Sequence, residues 1–251
     1  MQSRSYGGGK AGDLTFNIPG RISLAGQSLL DSSISSNIAS FTFSAGNAGN
    51  LNITTQNLSI LDGAILTSAT LDEGRGGNLE VQAENLVIDG FEPIGLAPSS
   101  LSSAALNSGN SSAVNINVAR LSVLNGGVLS TSTLGEGNAG TLTVIASESV
   151  YINDNTPNPL IISGVLSDAP IVEQSFQERL GVPESPSGNS GSVQINTPRL
   201  TIVNGGLVAV SNRGSGNSGR LQINADEVIL NRTGAITASS NSGQGGDVIL
   251  Y

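Results

Sequence analysis

The chain has 251 residues with 10 basic and 19 acidic side chains, no histidine and no cysteine, for a formal charge of −9. That composition excludes a disulfide framework, a thiolate or imidazole metal centre, and the Ser-His-Asp and Cys-His catalytic arrangements. With no basic run it also lacks the electrostatic footprint of a nucleic-acid binder.

From the N-terminus, Met1 to Gly9 contains no apolar stretch of the kind a signal peptide needs, and no apolar run approaches the ~20 residues that span a bilayer. No membrane insertion is expected. The first alternating stretch opens at Leu14, and seven more follow at Leu51, Leu79, Val114, Leu142, Val193, Leu221 and Val248. Their spacings are 37, 28, 35, 28, 51, 28 and 27 residues, so a 28-residue unit recurs with extra residues inserted in alternate units. A long internal period of this kind marks a solenoid, whose units bury their apolar faces only by stacking. This order answers the disorder that 33 Gly and 9 Pro would otherwise suggest.

Within each unit the apolar residues keep their offsets: Leu51, Ile53, Leu58, Ile60 and Ile65 return as Val114, Ile116, Leu121, Val123 and Val128. Two-residue alternation denotes half-buried strands, and no sustained 3.6-residue period appears. Three short strands per coil around a three-sided core are therefore expected. Corners fall at Asp62-Gly63, Asn125-Gly126 and Asn204-Gly205, dipeptides that tolerate positive φ. The pairs could also close β-hairpins, but a hairpin meander has no reason to repeat in 28-residue register. A hexapeptide period, the sign of a left-handed β-helix, is absent. The expected fold is all-β, a right-handed parallel β-helix of about seven to eight coils. Residues 1–251 form one repeat domain, read as a fragment of a longer protein because no capping unit closes either end.

Residues 153–188 are the longest interruption and read as an inserted loop. Within it Asp168-Ala-Pro170 could cap a short helix over Ile171 to Leu180, with Phe176 and Leu180 on one face. Loops projecting from a regular scaffold are where binding concentrates. Phe91, Phe176 and Arg179 are accordingly the candidate ligand contacts. Gly63, Gly126 and Gly205 are the structural turn residues.

Catalysis would have to rest on carboxylates alone: Asp72, Glu73, Glu136, Asp154, Asp168, Glu173 and Glu178. Glu73 and Glu136 share one offset two coils apart, about 10 Å, a separation compatible with inverting hydrolysis. Solvated acids on Gly-rich loops are the commoner state, and no catalytic residue is assigned. The calcium-binding Gly-Gly-x-Gly-x-Asp repeat is missing, with Gly243-Gln-Gly-Gly-Asp247 matching it in composition only. No metal or cofactor is expected. Thr67-Ser-Ala-Thr70 and Ser130-Thr-Ser-Thr133 suggest flat hydroxyl ladders like those of ice-binding β-helices, but Ala209-Val-Ser-Asn212 breaks the series.

The phrases Gly46-Asn-Ala-Gly-Asn-Leu-Asn-Ile-Thr-Thr, Leu58-Ser-Ile-Leu-Asp-Gly-Ala and Thr70-Leu-Asp-Glu-Gly-Arg-Gly-Gly-Asn-Leu resemble a known family, as does the run from Leu121 to Gly140. The chain is similar, from about Lys10 to Tyr251, to the repeats of cyanobacterial filamentous-haemagglutinin-like exoproteins secreted by the two-partner route. The resemblance implies an extracellular or outer-surface adhesive rod, an outer-membrane transporter serving the parent protein, and cell-surface glycans or other surface proteins as partners. Alternatives are a carbohydrate-active β-helix enzyme using carboxylates and a purely structural spacer. With aromatic residues at 3% and no Trp, sugar-stacking platforms are scarce.

Overall fold

The structure, a computed structural model, describes residues 1–26, 35–94, 96–158 and 161–251. In chain order the first strands are β1 (Gln2–Ser5), β2 (Leu14–Ala25), β3 (Asn37–Thr42), β4 (Leu51–Leu61), β5 (Ile65–Thr70) and β6 (Leu79–Asp89). After a small antiparallel pair, β7 (Phe91–Glu92) and β8 (Ala97–Pro98), come β9 (Ser100–Ala105), β10 (Val114–Leu124), β11 (Val128–Thr133), β12 (Leu142–Asn153) and β13 (Gly164–Ala169). A helix, α1 (Gln174–Leu180), precedes β14 (Val193–Val203), β15 (Leu207–Asn212), β16 (Leu221–Asn231), β17 (Ala235–Ser240) and β18 (Val248–Leu250).

Long and short strands segregate into two eight-stranded sheets, every neighbour parallel. The long sheet runs β18-β16-β14-β12-β10-β6-β4-β2, the short sheet β1-β3-β5-β9-β11-β13-β15-β17. This is a parallel β-helix. Each of the eight anchors read from the sequence opens a long strand. They pair in one column, Leu14 to Leu51 to Leu79 to Val114 and on to Val248. Leu51, Leu79, Val114, Leu142, Val193 and Leu221 are buried within a single core shared by both sheets.

The expectation of three separate strands per coil is corrected in one respect. In β4 the inward residues are Leu51, Ile53 and Thr55, then Leu58 and Ile60, so the inward parity switches near Gln56. The chain turns a corner there without giving up its ladder to the next coil. Register slips between Ile18 and Arg21, Val118 and Arg120, and Ile145 and Val150 mark the same bend in other coils. Such bulges bend a strand while keeping pairing on either side. One continuous bent strand therefore supplies two sides of the core, and the short strand supplies the third.

The short strands carry a polar interior that the alternation alone does not announce. Ser40, Ser68, Ser103, Thr131 and Ser167 are all fully buried. The Gly49 N–H donates to Ser40 Oγ at 2.7 Å, Gly77 N–H to Ser68 Oγ at 2.8 Å, and Ser112 N–H to Ser103 Oγ at 2.9 Å. Two residues further along, Thr42 and Thr133 donate to the Gly46 and Gly137 carbonyls. A buried hydroxyl costs free energy unless it is hydrogen-bonded. Most of these hydroxyls satisfy that requirement by fastening the short strand to the Gly-rich joint that leads into the next coil, and Ser167 satisfies it by accepting from Thr131 Oγ1 at 2.9 Å. The hydroxyl runs thus face inward at alternate positions, and on the opposite face Thr67 and Ser102 bond between coils at 3.0 Å.

The joints require glycine because backbone meets backbone. Gly46, Gly74, Gly109, Gly137, Gly188, Gly216 and Gly243 form a column in which a Cβ on each member after the first would collide with the carbonyl oxygen of the one before. A second column contains Gly49, Gly77, Gly140, Gly191, Gly219 and Gly246, with Ser112 as its exception. Outside the joint, Asn110, Asn138, Asn189 and Asn217 accept, coil after coil, the next coil's backbone N–H at 2.8–2.9 Å. Replacing Gly137 with Ala is expected to destabilise by about 2 kcal/mol or more, since the obstacle is backbone and cannot rotate away. Urea unfolding of the variant checks this, and an unchanged midpoint would refute the close stacking.

Candidate functional site

The turn glycines occupy the geometry expected of them. Gly63, Gly126 and Gly205 have φ of 81°, 96° and 89°, each preceded by a positive-φ residue: Asp62 (53°), Asn125 (47°) and Asn204 (54°). Two successive left-handed residues turn the chain from a long strand to its short strand. The coil beginning at Leu221 makes the same corner with Arg232 and Thr233, which no turn dipeptide signals.

Gly126 is doubly constrained. A Cβ there would lie 2.6 Å from Ile161 Cγ2 and 3.0 Å from Phe91 Cδ1. Phe91 is therefore half-buried as a lid on this corner, and its position supports packing more directly than ligand contact. Gly126→Val combines a forbidden φ with two collisions and is expected to cost about 2 kcal/mol or more. A thermal melt measures it. An unaltered transition would mean the corner carries no strain.

The stretch 153–188 is not one loop. β13 lies inside it and takes its place in the short sheet between β11 and β15. The insertion is thus two segments, one before the strand and one after. The second holds α1, which starts at Gln174 and not at Ile171. Glu173 is its N-cap residue without a side-chain cap bond, and Gly181 closes it at φ 66°. Asp168 does not cap the helix, because it belongs to β13. The helix buries no residue. Gln177 Nε2 ties the segment to itself through the Val172 and Glu184 carbonyls at 2.8 and 3.1 Å. On its surface the Arg179 guanidinium sits 5.1 Å from the Phe176 ring centroid, a cation–π pair. Two of the three candidate contacts are brought together, and Phe91 stands apart from them.

The carboxylates do not converge. Glu73 and Glu136 are exposed on joints two coils apart, with Ser108 at the same place on the coil between. Asp89 accepts a bond from Asn125 Nδ2 at 2.8 Å, and Asp154 takes one from Ser163 at 3.4 Å. Among the described residues no group of three or more Asp and Glu lies close enough to hold a metal. The exception to this bland pattern is Asp168. Its register neighbours on the outer face of the short sheet are Ser132 and Ser211. Burial pushes its carboxyl up from 3.8 to about 6, with the Arg213 guanidinium pulling it partly back.

That shift has a pH signature. Between about pH 4 and 6 the folded chain keeps a proton on Asp168 that the unfolded chain has lost, so stability falls as pH rises through this window and levels off above it. Asp168→Asn should be more stable than the parent above pH 6, on the order of 1–3 kcal/mol, and equal to it near about pH 3.5. Denaturation at several pH values tests this. A constant difference across the range would remove Asp168 as the titrating group.

The described part thus defines a parallel β-helix bearing small insertions on its corners. Comparison with protein-family models, with curated proteins and with solved structures gives no match.

Proposed function

We infer that this chain is a segment of an extended, non-catalytic surface rod that displays binding residues on its faces and inserted segments. The observation that carries this reading is the unbroken parallel stack. Seven long strands and the three-residue β18 keep their anchors in one column, with register slips only at the bend, while the insertions at Phe91, at Asp154 and at Pro170 leave between strands and never interrupt one. The interior is filled by side-chain columns, so chemistry is confined to outward positions and corners. Support also comes from the Gly-Asn-Ala-Gly phrasing, which resembles filamentous-haemagglutinin-like exoproteins. On that reading a longer parent is exported through an outer-membrane transporter, and the rod stands at the cell surface. Phe176 and Arg179 then form the most prominent contact for surface glycans or other surface proteins.

The test attaches the purified protein to beads and measures adhesion to cells and to glycan-coated surfaces. Residues 171–183 are replaced in a second protein by a short Gly-Asn-Ser-Gly link, which keeps β13 in place. Adhesion by the parent and a several-fold loss in the variant are the expected results. Equal adhesion would move the contact to another face. New reducing ends or unsaturated products that vanish in Glu73→Gln or Glu136→Gln would replace the rod reading with an enzyme.

A further inference from the structure

The long sheet has an outer face before its bend, formed by the second and fourth residues of each long strand. Pairing places Asn115, Thr143, Gln194 and Gln222 in one column and Asn117, Ile145, Asn196 and Asn224 in the next. Six of these eight are amides, none is charged and every one is at least partly exposed, and the first column meets its charged member, Glu80, only on β6. The chain nevertheless carries 29 charged side chains. Gln194, Asn196, Gln222 and Asn224 make a two-by-two plate on β14 and β16, and their side chains have no hydrogen-bond partner among the described residues. The neighbouring position on β12 is Ile145, 47% exposed in the middle of this polar surface.

Two concavities flank that plate. One, of about 350 Å³, lies at the start of the strands and includes Ser192, Gln194, Arg220 and Gln222. The other, of about 300 Å³, lies at the bend and includes Ser147, Asn196, Asn224 and Asp226. From Val193 to Thr197 the strand covers about 13 Å, so the two hollows and the plate between them make one track along the strand direction. Arg220, in the first hollow, is already engaged by Asp247 at 3.8 Å.

We propose that this track binds a neutral oligosaccharide, with the four amides reading its hydroxyl groups and Ile145 meeting an apolar sugar face. The proposal rests on the reading of the chain as a binding rod and names a second contact on the coil body, away from α1. The chemistry selects the ligand class. An amide offers both donor and acceptor, which matches a hydroxyl that also offers both. Buried or partly buried polar groups built to bond hydroxyls reject ligands that leave them unpaired. A polyanion finds one partnered guanidinium and meets Asp226 and the overall negative charge. The four amides stand on a rigid two-strand ladder, so ligand binding orders their side chains but no backbone.

Affinity electrophoresis and calorimetry decide the matter, using soluble β-glucan, xylan and dextran as neutral probes and heparin and polygalacturonate as anionic ones. At least one neutral glycan should bind with an affinity that changes little between low and high salt, since no ion pair is formed. Asn196→Ala with Asn224→Ala should weaken it by about tenfold or more, as expected for losing two hydrogen bonds. Asn52→Ala with Thr54→Ala, on the same face but four and five coils from the plate, should leave it unchanged. Salt-sensitive binding of the anionic probes alone, or neutral binding indifferent to the Asn196 and Asn224 changes, would overturn the proposal. Cell adhesion by the parent together with no neutral-glycan binding would overturn the plate while leaving the rod reading intact.

Discussion

Everything in this molecule depends on backbone approaching backbone at the joints between coils. Where the chain leaves a short strand and re-enters the long sheet, the glycine of one coil sits against the carbonyl of the coil before it. Strand neighbours in a sheet are held at about 4.8 Å, and a solenoid must keep that spacing at its corners as well as along its faces. A side chain at the joint would pry the coils apart on one edge. The hydrogen bonds of both adjoining sheets would then fail together, because a stack cannot open at one corner and stay in register at the others.

The same joints explain the chain's mixture of glycine, asparagine and hydroxyl residues. Glycine permits the approach. The asparagine column accepts the next coil's N–H outside the joint, and the buried Ser and Thr satisfy the N–H and carbonyl groups inside it. Many of the polar groups that parallel pairing leaves unsatisfied at a corner are thus answered by a side chain of the same or the neighbouring coil. The exposed ion pairs, such as Arg199 with Glu227 at 2.7 Å, link adjacent coils but contribute little in solvent.

Much of this was legible in the residues. The eight anchors, their alternation and the three Gly corners follow from period and turn chemistry, and the structure places them accordingly. What alternation could not show is that the first two strands of a coil are one bent strand, because a bulge changes parity without leaving a distinctive residue behind. Asp168 looked like a helix cap because Asp-Ala-Pro suits a helix start. The pull of sheet pairing with Ser132 and Ser211 outweighed that local preference. Gly164 to Ala169 was hidden within a long interruption since six residues give too little periodicity to stand out. The joint hydroxyls were visible, but their inward direction depends on strand phase.

Outward positions obey a different rule from inward ones. An inward residue is fixed by the coil above and below, so its identity repeats and the repeat can be read. An outward residue of the long sheet meets solvent, a ligand or the side chain above it, so packing constrains its identity less tightly. The amides of β14 and β16 recur one 28-residue unit apart, as Gln194-Ile-Asn196 and Gln222-Ile-Asn224, and register makes them neighbours. A β-helix therefore exposes its architecture to linear reading more fully than its binding chemistry, because a repeated surface pair carries no sign of what it meets. Folding fixes the inward residues for reasons of packing, and function is written on the residues that folding leaves free. On β14 and β16 the free positions before the bend carry four uncharged amides, while Glu80 on the same face and the Arg199–Glu227 pair beyond the bend are charged, and that local choice is what folding alone does not explain.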